Sequence, residues 1–140
     1  MAISSLGMRT TNLTITQACW ETRTTSVSPR VLEVSIFQAV AAVQSLGLGL
    51  PAVRGITPAN IAFQMDDPIL PTSIITGALS WNTSPTAPAT FSRRWNSAAT
   101  AGVAVIWTFP RGLLIPVANS IVVWNITAAT ASDINFVCDE

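Results

Sequence analysis

Apolar and polar residues alternate along the C-terminal part of the chain. Val103, Val105, Trp107 and Phe109 share one face of an extended segment and Ala104, Ile106 and Thr108 the other, since successive side chains of a strand point to opposite faces. Pro110-Arg111-Gly112 interrupts the run with turn residues, and Leu113 to Pro116 is a short apolar segment. Val117-Ala118-Asn119-Ser120 turns again before Ile121-Val122-Val123-Trp124. With Ile134 to Cys138 as a last strand, the pattern predicts a meander of antiparallel strands. Ile121 to Trp124 is apolar on both faces, which predicts a strand covered twice, once by its own core and once by a partner subunit.

Upstream, residues 1–11 are small and polar with little periodicity, as expected of an N-terminal arm, which leaves residues 12–140 as a single domain. From Asn12 to about Arg23, Leu13, Ile15 and Cys19 alternate with Thr14, Thr16 and Ala18, the pattern of a strand. Val31 to Gln38 is a second strand, Ile61 to Met65 a third, Ile75 to Trp81 a fourth and Phe91 to Trp95 a fifth. The glycines of Ser45 to Pro51 predict a loop. Its leucines Leu46, Leu48 and Leu50 either pack beneath the end of the sandwich or insert into a neighbouring chain. Together with Ile121 and Val123 they are the candidate interface residues. Short strands about 10 to 15 residues apart, with no helix between them, predict an all-β fold. The expected architecture is an antiparallel β-sandwich, jelly-roll-like, of about eight strands.

Composition sharpens this picture through its charge. Charged residues make up only 10% of the 140, against about 25% in an ordinary domain, so much of the surface is expected to be hidden in contacts. The seven basic residues are all Arg and, apart from Arg93-Arg94, well separated. No stripe follows a phosphate backbone, and nucleic-acid binding is not expected. No apolar run approaches the ~20 residues of a membrane helix, and the N-terminus lacks a basic region ahead of an apolar core. A soluble, non-secreted chain without membrane contact is expected, in which the sequons at Asn12, Asn82 and Asn125 carry no weight.

The chain has no His, Lys or Tyr, which removes the commonest general bases, the Schiff-base nucleophile and the commonest metal ligand. Cys19 and Cys138 lack a partner base and metal-ligand spacing, and read as buried, reduced thiols lying near each other on the first and last strands of one sheet. Asp66-Asp67 lacks the further oxygen ligands of a calcium loop and reads as a solvated turn. Glu21 and Glu33 are the candidate carboxylates on strands for glycosidase chemistry, but Glu33, with Arg23 and Arg30 nearby, reads better as an Arg-paired group that fixes packing. Neither an enzyme nor a cofactor or metal site is expected. The tryptophans are expected to fill the core; a sugar-binding module would instead present Trp81 or Trp95 beside polar groups in an open pocket.

Several segments together resemble a family of short jelly-roll proteins from tailed bacteriophages. They are Val31-Leu32-Glu33-Val34, Leu46-Gly47-Leu48-Gly49 with Pro51-Ala52 and Gly55, Pro110-Arg111-Gly112-Leu113 with Pro116, Val123-Trp124-Asn125, and the acidic end Asp139-Glu140. The resemblance covers residues 17–140 and rests on structural rather than catalytic motifs. It implies a TNF- or C1q-like sandwich that assembles as a homotrimer. It further implies a decoration, or cement, protein made in the host cytoplasm and placed on the capsid surface of the virion, where it contacts the major capsid protein. The alternative is a small carbohydrate- or receptor-binding jelly-roll module of a phage fibre.

Overall fold

A computed structural model describes residues 2–11, 13–127 and 130–140. The described residues form eleven strands and no helix: β1 (Ile3–Arg9), β2 (Ala18–Arg23), β3 (Arg30–Gln38), β4 (Gln44–Gly49), β5 (Ile56–Ala62), β6 (Gln64–Met65), β7 (Thr76–Thr83), β8 (Arg93–Ser97), β9 (Ala104–Leu114), β10 (Ser120–Thr127) and β11 (Ser132–Asp139). They build a first sheet ordered β6-β1-β11-β3-β9 and a second ordered β5-β7-β2-β10-β4-β8. The strand pairs are antiparallel and nested: β1 with β11, β2 with β10, β3 with β9, and β4 with β8. A chain paired in that nested way is one long antiparallel ribbon, and rolling it up sends successive pairs to opposite sheets, which is the jelly-roll arrangement. The expected sandwich is therefore present, with eight strands in the roll and β5, β6 and β7 added between β4 and β8.

Three expectations are corrected here. Residues 3–9 are not an arm: Ile3 to Arg9 pair residue for residue with Asp139 to Asp133 and form a central strand of the first sheet. Asn12, the expected start of the first strand, lies outside the described residues. The closing strands are not a meander either, because β10 sits in the second sheet while β9 and β11 flank β3 in the first. Finally, Pro110-Arg111-Gly112 does not end β9. Thr108 pairs with Glu33 and Leu113 with Val31, so four residues of β9 bulge opposite Leu32, with Gly112 at φ 67°.

The core lies between the sheets. Val31, Val34, Ile36, Ile134, Phe136 and Cys138 face it from the first sheet, and Trp20, Leu46, Leu48, Ile121 and Val123 from the second. Trp20 stacks on Phe136 across the interior, ring centroids 5.3 Å apart and planes within 5°. Cys19 and Cys138 are free and buried, but they belong to opposite sheets, since Cys19 is on β2 and the true first strand is β1.

Candidate assembly surfaces

The residues expected at an interface lie inside the protomer. Leu46, Leu48, Ile121 and Val123 have no exposed surface, and Leu50 is half-buried against the same core. The reason is local: β4 reads Leu-Gly-Leu-Gly, so its leucines point inward while Gly47 and Gly49 form the outer face. That glycine face is a bed for the chain's own segment after β7. A Cβ on Gly47 would sit 2.6 Å from Cδ1 of Phe91, and one on Gly49 3.5 Å from Cγ of Pro88. Beside them Ala18, Val122 and Trp124 form a small outer cluster covered by Trp81, Ala87 and Phe91, with the Phe91 and Trp124 rings 5.7 Å apart. The second cover of Ile121 to Trp124 is thus supplied by this chain and not by a partner.

The second sheet's outer face also holds the buried charge. Glu21 is fully buried, accepts a hydrogen bond from Trp81 Nε1, and lies 3.8 Å from Arg23 Nε. Arg23 donates to Gly55 O, while Arg54 donates to Ala118 O and Thr24 O. Burial and the neighbouring Arg23 guanidinium lower the Arg54 pKa, and Glu21 opposes them. Here too the expectation shifts: Glu21, not Glu33, is the Arg-paired carboxylate. Glu33 stands between Thr108 and Val137 on the first sheet, so the two glutamates belong to opposite sheets and do not form a catalytic pair.

The outer face of the first sheet has a different character. Its cross-strand rows read Arg9, Asp133, Phe37 and Ala104, then Gly7, Asn135, Ser35 and Ile106, then Ser5, Val137, Glu33 and Thr108. Arg9 and Asp133 neutralise each other through two 2.8 Å hydrogen bonds, which hold the Asp133 carboxyl below its ordinary value. Asn135 donates to Ser35 Oγ. Phe37 and Ile106 are 40% and 56% exposed, so apolar side chains stand in the open on a face with few charges.

The remaining charges separate by side. Arg93 and Arg94 on β8 and Arg111 on the β9 bulge stand exposed at one edge of the sandwich, with exposed Arg30 next inward at the start of β3. At the opposite edge Asp66 and Asp67 follow β6, while Asp139, on the middle strand β11, pairs with Ile3 on one side and Arg30 on the other, and Glu140 N donates to Ala2 O. A cleft of about 380 Å³ opens on the basic edge, lined by Arg93, Thr108, Phe109, Pro110, Arg111 and Gly112. Another, of about 250 Å³, places the half-buried Trp81 beside Thr11, Gln17, Leu79, Ser80 and Ser84. Neither cleft is legible in the sequence, which places the tryptophans in the core and Trp81 or Trp95 in an open pocket only for a sugar-binding module. In comparison with known proteins, no family model, no curated protein and no solved structure matches the chain.

Proposed function

We propose that this chain is a structural virion protein, a homotrimeric decoration protein on the outer surface of a tailed-phage head that reinforces the shell through contacts with the major capsid protein. The observation that carries the proposal is the open face of the first sheet. The middle of the second sheet is covered by its own chain, whereas Phe37 and Ile106 stand exposed on the outer face of the first sheet, where the only charges of the three cross-strand rows are the mutually paired Arg9 and Asp133 and the single Glu33. In a chain with only 10% charged residues, such a face is suited to protein contact. The jelly-roll order and the resemblance to phage decoration proteins supply the kind of contact. Light scattering is expected to give a mass near three times the 14.8 kDa chain, and immunogold labelling of purified virions to mark the outside of the heads. A monomer by light scattering removes the trimer. Label confined to fibres, or absent from particles, removes the decoration role.

The cleft at Trp81 favours a second reading, a carbohydrate-binding module. A tryptophan whose Nε1 is tied to Glu21, with hydroxyl and amide groups around its exposed part, is the arrangement that stacks a sugar ring. Binding on a glycan array that weakens in Trp81→Phe is the expected result on this reading, and a wild type that binds no glycan sets it aside.

A further inference from the structure

The two charged edges carry matching shapes. Directly after β6 the chain projects a turn, Asp66-Asp67-Pro68-Ile69, in which Ile69 is 90% exposed, the most exposed of the large apolar side chains among the described residues. The turn is held in shape: Asp66 Oδ1 accepts from Ser5 Oγ at 2.8 Å, Asp66 N donates to Ile3 O, Asp67 Oδ1 accepts from Ile69 N at 3.0 Å, and Leu70 N donates to Asp67 O. It is therefore a preformed knob with an exposed apolar tip that directly follows two carboxylates. At the other edge, the β9 bulge and β8 frame the 380 Å³ cleft with an apolar floor, Phe109 and Pro110, and two guanidiniums, Arg93 and Arg111. Arg93 lies over the Phe109 ring at 5.3 Å, and Arg30 donates to Arg111 O, so the basic rim is ordered as well.

A protomer cannot join its own knob to its own cleft, because they flank opposite edges of a five-stranded sheet, about 19 Å apart at ~4.8 Å per strand. We propose that the occupant of the cleft is a second copy of this chain: Ile69 of one protomer enters the pocket over Phe109 of the next, with Asp66 and Asp67 against Arg93 and Arg111. Apolar tip meets apolar floor and carboxylates meet guanidiniums, so both terms favour the same register. A head-to-tail contact of this kind closes into a ring or runs on as a filament. Closure at three rests on the trimer proposed above.

The test is charge exchange read by light scattering and sedimentation at fixed protein concentration, with circular dichroism confirming the strands. Asp66→Arg with Asp67→Arg, and separately Arg93→Glu with Arg111→Glu, are each expected to weaken association at least ~tenfold. The chain carrying all four changes is expected to self-associate again, yet not to mix with wild type. Ile69→Asp, which leaves every charge of the rim in place, is expected to weaken association as strongly. A wild type that is trimeric while all these variants remain trimeric overturns this contact and leaves the trimer standing. A monomeric wild type overturns both. Wild-type filaments that the paired reversals break and the fourfold exchange restores support the contact and overturn closure at three.

Discussion

At the scale of single residues, the deepest side chains decide more than their types suggested. Leu48 belongs to the core with no exposed surface, so Leu48→Ala is expected to lose about 2–5 kcal/mol of stability through transfer and cavity terms. Leu48→Asp is expected to abolish strand content in circular dichroism; a folded Leu48→Asp of altered mass would return this leucine to an interface. A backbone position offers the opposite sign. Ala118 sits at φ 55° in the turn closed by Asn119 N to Pro116 O, a left-handed conformation that a Cβ disfavours and glycine adopts freely. Ala118→Gly is expected to raise stability by about 0.5–1 kcal/mol in chemical denaturation, the relief exceeding the added freedom of the unfolded chain. The glycines at 47 and 49 explain why the leucine segment was misread. Read for conformation they mark a loop, whereas read for space they alternate with leucine at the period of a strand, and their missing side chains make room for Phe91 and Pro88. The alternation was visible in the sequence; the distant segment that required it was not.

At the scale of elements, the strands of the roll and the segment that roofs them obey different rules. Val31 to Gln38 and Ile134 to Cys138 were legible because one face alternates apolar residues into a core that the whole family of β-sandwiches shares. β1 was not legible, since Ser4, Leu6 and Met8 make a faint inward pattern and β11, far along the chain, supplies the pairing. The roof was invisible for the same reason: nothing local in residues 83–92 says that they lie on Trp124. Phe91→Ala is expected to open that roof, red-shifting tryptophan emission while the transition remains cooperative. The neighbouring charge cluster is more exacting. Glu21 is the buried carboxylate facing Arg23 and Arg54, so Glu21→Gln leaves two guanidiniums without their counter-charge and is expected to destabilise β2 and its neighbours by about 3 kcal/mol. A Glu21→Gln protein as stable as wild type would mean that solvent already satisfies both arginines.

At the scale of the whole molecule, stability should depend on pH only where folding shifts the pKa of a titrating group. The chain has no His, so no side chain has its ordinary pKa between pH 5 and 8. Burial pushes the Cys19 thiol up from 9.0 to about 12 and raises Cys138 as well, with Glu140 adding to the second shift. A thiol whose pKa is raised on folding is held neutral in the native state and ionises first in the unfolded one. Its contribution is therefore complete below the unfolded pKa, near 9.0, and declines as pH rises toward the folded value. Each thiol then removes up to ~1.4 kcal/mol per pH unit, and about 2–4 °C of melting temperature accompany each kcal/mol in a chain of this size. On the acid side, Asp133 is lowered by Arg9, so its contribution is present above the ordinary carboxylate pKa and lost as pH falls through the folded value. Melts are expected to be level from pH 5 to 8 and to fall steeply between pH 9 and 11. In Cys19→Ala/Cys138→Ala the alkaline fall should flatten, although the two small cavities lower the plateau itself. An alkaline limb that survives the double substitution would show that the assembly, rather than the buried thiols, fails at high pH.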